Sequence, residues 1–259
     1  IKYWCQSMNN NDKEKWIRDN EQILENLKQI DKNESAMLII RHSERFEIED
    51  FDSVVNAGLT ERGKSIAVKF GKELPIDKKI RFFSSPIQRC IDTADLIKQG
   101  ICENPDAVKN GFNIDDHKNH LMLVLQGPIG DWWQISQMFG YSNHMPTVGK
   151  WIFGHYSPAI FEPFNQYVMR LAYFIFSHHQ QAKEPVLDII STHDVTIMSL
   201  LIGLLGTLDK FEWVGFFGGF IMQLKEKSIL IIKDKEKIEI PFPYWWPVSN
   251  IIEKDRVVP

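Results

Sequence analysis

The stretch Ala36–Glu47, "AMLIIRHSERFE", decides how the rest of the chain is read. Five apolar residues run without interruption into Arg41, His42, Ser43, Glu44 and Arg45. Met37–Ile40 reads as a short buried strand, and a buried strand driven into two arginines, a histidine and a glutamate needs a reason. In an open parallel sheet the reason is the crevice beyond the carboxyl ends of the strands, where ligands bind. Two other apolar runs end in similar chemistry. "RFFSSPIQRC", Arg81–Cys90, leaves its strand at Ser84-Ser85 and turns into a helix that bears Arg89. "LDIISTHDV", Leu187–Val195, leaves its strand at Thr192-His193-Asp194.

Outward from these strands the pattern alternates. A second helix opens at "LTERG", with Thr60 as its N-cap and Pro75 after its end near Leu74. Ile80–Ser84 is a strand, Pro86 stands where a first helical turn tolerates it, and a helix follows over Ile87–Lys98. Strand, helix, strand, helix is the signature of a parallel sheet with crossovers. Upstream, Trp16, Ile17, Asn20, Ile23, Leu24, Leu27 and Ile30 recur at helical spacing, which predicts an amphipathic helix over Asn11–Asp31. Downstream, a helix is expected over Phe164–His179, a strand over Val186–Ser191 and a helix over Asp194–Leu205. A closing hairpin is expected from Phe220–Lys225 and Ile229–Lys233. Between them, about 100–163, the chain is rich in Asn, Gly, Pro, His and Trp with little periodicity, and reads as an inserted cap. The expected architecture is a single α/β domain, a three-layer sandwich with a mostly parallel central sheet plus this cap.

Length and charge are compatible with that reading. The 259 residues suit one large domain, and 44% apolar content is ordinary for a globular protein. A net charge of −4 gives no global argument for nucleic acid, so any anion site has to be local. No apolar run reaches the roughly 18 residues of a transmembrane segment. Cys5, Cys90 and Cys102 are too few for a disulfide framework or a zinc site, although one bridge stays open. The chain starts at Ile1, so the compartment is open: cytoplasmic, or organellar or secreted after loss of a leader.

If the three strand ends converge, Arg41, Arg45, Arg89, His42, His193 and Asp194 share one crevice. Three guanidiniums around two imidazoles are costly to assemble without an anion. Their planar forks match phosphate oxygens. A neutral imidazole is a good nucleophile toward phosphorus, and nearby positive charge favours the neutral form. A carboxyl at Asp194 could protonate the leaving oxygen. Taken singly, Arg41 and Arg45 would read as surface ion-pair partners, His193 as a structural histidine and Arg89 as a solvated helix charge.

Four segments together resemble the histidine phosphatase superfamily, which includes the phosphoglycerate mutases: "RHSER", "GLTERGKSIAVKFGKEL", "SSPIQRCIDTA" and "STHDVTI". The resemblance implies an α/β sandwich and a phosphomonoester hydrolase with a phosphohistidine at His42. Arg41, Arg45, Arg89 and His193 would hold the phosphoryl group, with no metal or cofactor. It implies as alternatives a phosphoglycerate-mutase-type phosphotransferase, or a catalytically silent relative that serves as a binding subunit. "LTERG" and "SSPIQRCIDTA" are similar to the mutase-like branch; the paired arginines and "HD" are similar to the acid phosphatase branch. The second makes Asp194 the proton donor. The first takes a mid-chain carboxylate, for which Glu103, Glu162 and Asp131 are available. Two positions depart from the pattern: Ser43 replaces a glycine, and Phe46-Glu47 stand where a proline is expected. The partner implied is a small-molecule or protein phosphomonoester and no nucleic acid. The N-terminal helix and the aromatic C-terminus are possible docking elements.

Overall fold

The computed structural model describes residues 20–48, 55–75, 77–109, 119–120, 130, 144–207 and 212–247. The strands are β1 Ala36–Arg41, β2 Lys79–Ser84, β3 Asn119–His120, β4 Val186–Thr192, β5 Gly219–Leu224, β6 Ser228–Lys233 and β7 Glu236–Pro241. They form one sheet in the order β3-β2-β4-β1-β5-β6-β7. The helices are α1 over 20–28, α2 Glu61–Glu73, α3 Gln88–Cys102, α4 Pro105–Lys109, α5 His144–Ile152, α6 Phe164–His179 and α7 Asp194–Leu205.

Every residue of β1 and β4 is buried, as their solid apolar runs require. Alternate side chains then feed two cores. Met37 and Ile39 join the cluster with Tyr167, Leu171, Leu200 and Trp246 on the α6–α7 face. Leu38 and Ile40 join Leu27, Phe70 and Ile97 on the face covered by α1, α2 and α3. The result is the expected α/β sandwich of three layers.

The sheet is mixed rather than mostly parallel. β3, β2, β4 and β1 run parallel to their neighbours, while the β1–β5, β5–β6 and β6–β7 pairs are antiparallel. The reason is local. Gly218, just before β5, accepts the amide of Arg41 at the carboxyl end of β1, so β5 starts where β1 stops. The hairpins then fix the rest; Asp234 takes φ 55° in the tight β6–β7 turn. Strands β3 and β7 are additions to the expected set.

Thr60 caps α2 as expected, its hydroxyl accepting the amide of Gly63 at 3.0 Å. Helix α3 runs past Gly100, into the stretch read as the start of the cap. Gly100 is a crossing point with α2. A Cβ on Gly71 of α2 would fall 2.0 Å from the carbonyl oxygen of Ile97, and one on Gly100 would fall 2.0 Å from that of Val68. Only glycine lets the two helices approach so closely. Trp151 and Phe161 pack in the same core as α6 and α7. Residues 11–19 of the expected N-terminal helix, and Asp131, Trp132 and Trp133, lie outside the described residues. No helix among the described residues is long and apolar enough to cross a membrane.

Candidate active site

The register of the sheet sets the site. Arg41 lies beside Thr192, and Ser84 beside Ser191, so β2, β4 and β1 end at one level. The ladder continues past them: Thr192 accepts the amide of His42, and Ser191 accepts that of Ser85, at 2.8 and 2.9 Å. His42, Ser85 and His193 therefore leave the sheet side by side.

His42 is 2% exposed. Its Nδ1 lies 2.8 Å from the carbonyl oxygen of Ser43, which can only accept, so Nδ1 carries the proton. Nε2 is left with its lone pair, and Arg89 Nε donates to it at 3.1 Å. Burial, then the guanidiniums of Arg89 and Arg41, push the proton affinity of His42 well below the usual imidazole range. The ring is neutral at pH 7 and presents a nucleophilic nitrogen toward an arginine.

Arg41 is 8% exposed. Its Nη1 donates to the Val214 carbonyl at 3.0 Å, and its Nη2 lies 3.2 Å from Asp194 Oδ2. Its Nε is buried and has no hydrogen-bond partner among the described residues. The guanidinium stacks 4.5 Å above the Phe216 ring, and Arg45 approaches the same ring at 5.7 Å. Phe216 is also 5.8 Å from the His42 ring. Arg45 is less buried and donates to the Phe46 carbonyl at 2.8 Å.

Asp194 begins α7 and is buried. Oδ1 accepts the amide of Val195 at 2.9 Å, and Oδ2 accepts the Trp213 indole at 3.0 Å besides facing Arg41. The His193 ring stands edge-on to His42 with centroids 5.5 Å apart. Its Nε2 meets Ser85 Oγ at 3.0 Å and Cys90 Sγ at 3.6 Å. Burial and the arginine charges lower its proton affinity too, against the opposing pull of Asp194. Cys90 donates to the Thr192 carbonyl at 3.6 Å, and burial pushes its thiol up to about 12 despite Arg89.

The structure thus brings Arg41, His42, Arg89, His193 and Asp194 into one network, with Arg45 joined to it through Phe216. Both departures from the family pattern fit. Ser43 needs no positive φ, and its hydroxyl donates to the Gly63 carbonyl at 2.8 Å. Phe46 donates its amide to Gly58 at 3.0 Å, a bond that proline cannot make. Glu44 lies 3.8 Å from Arg62. Of the mid-chain carboxylates, Glu162 is locked bidentately on Arg170 at 2.9 and 2.6 Å. Glu103 is exposed, pairs with Lys72, and follows the end of α3 remote from Arg89, roughly 20 Å away by helix rise. Among the described residues no three His, Cys, Asp or Glu side chains are grouped to hold a metal. Sequence reasoning missed Trp213, Val214 and Phe216, which sit in an aperiodic run, "EWVGFFGG", from Glu212 to Gly219.

The chain is a three-layer α/β sandwich with arginines and two histidines at the carboxyl ends of its strands. Residues 37–108 match the histidine phosphatase superfamily (branch 1), so the resemblance carried by the motifs holds. The match ends before β4 and does not reach His193 or Asp194. In structure the chain is similar to YhfR of Bacillus stearothermophilus, at 18% identity and TM-score 0.51, over 78% of this chain and 97% of that one. It is also similar to a phosphoglycerate mutase from Bacillus anthracis, at 13% identity and TM-score 0.48, over 82% and 94%. A third neighbour is a mycobacterial glucosyl-3-phosphoglycerate phosphatase, at 16% identity and TM-score 0.43, over 76% and 90%. No curated protein matches the chain in sequence.

Proposed function

We propose that the chain is a phosphomonoester hydrolase working through a phosphohistidine at His42. The observation that carries this is a buried cation short of an acceptor. Arg41 pairs with Asp194, yet its buried Nε has no acceptor among the described residues, and it stands beside buried Arg89 and the neutral His42 imidazole. A doubly charged phosphoryl group supplies the missing acceptor.

In the first step His42 Nε2 attacks phosphorus, and the bond from phosphorus to the ester oxygen breaks. Asp194 gives its proton to the departing oxygen. Arg41, Arg45, Arg89 and His193 hold the phosphoryl oxygens as charge moves onto them. In the second step water attacks phosphorus, Asp194 takes a proton from it, and the N–P bond breaks to release phosphate. Asp194 is preferred as donor because it touches Arg41, whereas Glu162 and Glu103 are held in ion pairs elsewhere. In the same reading the chain is one domain, and the stretch 100–163 caps the site and selects the substrate. The test is turnover of a panel of phosphomonoesters with His42→Ala as control. Loss of all turnover in that variant is expected; undiminished hydrolysis would remove His42 from the mechanism.

A further inference from the structure

We infer that Trp213 is a positioning residue for proton transfer, holding Asp194 in place while Arg41 exchanges that carboxylate for the phosphoryl group. The inference rests on the phosphohistidine reading above and goes beyond it by assigning how the proton donor is loaded.

One carboxylate oxygen, Asp194 Oδ2, takes two donors of different kinds. The Trp213 indole N–H at 3.0 Å is neutral, and Arg41 Nη2 at 3.2 Å is charged. The other oxygen is fixed by the Val195 amide at 2.9 Å. Residues 213–216 meet the two groups separately. The Trp213 side chain touches the carboxylate, whereas the Val214 carbonyl and the Phe216 ring touch Arg41. The Arg41 bond to Asp194 is the longest of these polar contacts.

A phosphoryl group entering beside His42 competes for Arg41. When Nη2 turns to a phosphoryl oxygen, Asp194 loses that charged contact and faces the negative phosphoryl group, while the indole and the Val195 amide still hold it. A carboxylate in that position binds a proton far more readily than one beside a guanidinium. The lone pair vacated by Arg41 takes up a proton from solvent, and it points where Arg41 lay, toward the phosphoryl group. The indole bond opposes any shift of Oδ2 after Arg41, which keeps the proton on the line to the leaving oxygen. The site thus arms its acid only when it is filled.

Trp213→Phe removes the donor and keeps the ring. It should lower kcat on an alkyl phosphate by roughly ten- to a hundredfold, the range for losing one hydrogen bond to a charged group. It should lower kcat on nitrophenyl phosphate by less than about threefold, since that leaving group departs without a proton, and leave both KM values nearly unchanged. Phe216→Leu in the same segment should do the reverse, raising KM on both substrates without dependence on the leaving group. A second measurement needs no variant to fold: one 15N-indole resonance of the unmodified protein should move when vanadate is added. Equal losses on both substrates for Trp213→Phe, no loss on either, or indole resonances indifferent to vanadate would overturn the inference. A wild-type protein inactive on every phosphomonoester would overturn the functional reading itself, and is distinguishable because the variants then add nothing.

Discussion

Two buried clusters of arginine, histidine and aspartate sit on this sheet, and they are built on opposite principles. On the α6 face, Arg81 of β2 lies directly across from Asp188 of β4. The pair is bidentate, at 2.6 and 2.7 Å, with His179 Nδ1 on the same carboxylate at 2.9 Å and the His178 carbonyl on Arg81 at 3.1 Å. At the carboxyl ends of the strands, Arg41 reaches Asp194 by one bond of 3.2 Å, and Arg89 donates to an imidazole. The first cluster satisfies itself and clamps the end of α6 to the sheet. In the second, Arg41 Nε is buried without a partner among the described residues, which under the proposed function is the place left for a ligand oxygen.

The comparison breaks or sharpens in four ways. The largest effect belongs to Asp194. Asp194→Asn should slow an alkyl phosphate by about two to four orders of magnitude, and nitrophenyl phosphate much less. Steady-state kinetics on the two substrates checks this, and equal losses would leave Asp194 only an orienting role.

Next in size is a contrast in stability. Asp188→Ala leaves Arg81 and His179 buried without their carboxylate and should cost about 3–5 kcal/mol. Arg89→Met replaces a buried charge with an apolar side chain of similar length. It should cost less stability than Asp188→Ala while kcat/KM collapses. Urea denaturation of both variants decides it. If Arg89→Met were the more destabilised, the arginines of the site would be structural after all.

The third effect is in pH. His42 and His193 have proton affinities lowered in the folded state by burial and by neighbouring arginines. Their neutral forms contribute stability in full above the unfolded value, about 6.5. As pH falls below it, the unfolded chain takes up protons that the native state refuses. Stability should drop by up to about 1.4 kcal/mol per pH unit for each histidine. Gln at either position should flatten the slope measured by denaturant titration between pH 6.5 and 4.5. The same shifts predict that the nucleophile stays neutral in mildly acidic solution, so kcat/KM should show no acid limb near 6.5 from His42.

The smallest effect concerns a thiol. Cys90 lies among the guanidiniums, which favour a thiolate, yet burial wins and holds it up at about 12. At pH 8 iodoacetamide should label exposed Cys102 and spare Cys90. Rapid labelling of Cys90 would mean that water reaches the site more freely than the neutral imidazoles require.

The parts legible in the sequence are those with local causes. Each of β1, β2 and β4 is a short apolar run that stops at charged or hydroxyl residues, and the register brings those stops together at one level. Thr60 and the β5–β6 hairpin were equally plain, because caps and hairpins are read from neighbouring residues. The parts that were not legible depend on distant contacts. The helix expected over Ile87–Lys98 runs on through Gly100 to Cys102, and only the approach of Gly71 explains the glycine there. Trp213 and Phe216 carry no periodicity. Their contacts with Asp194 and Arg41 exist because β5 runs antiparallel beside β1, a pairing that no short window displays. The Arg81–Asp188 clamp escaped notice for the same reason, as its partners are 107 residues apart.

The central claim is that His42 Nε2, neutral and facing the arginines at the strand ends, accepts the phosphoryl group. Rapid quench of the wild-type protein with labelled phosphomonoester tests it most directly. The account predicts an acid-labile, base-stable adduct that maps to His42 and disappears in His42→Ala. Label recovered on a serine or on Cys90, or turnover without any adduct on His42, would contradict it.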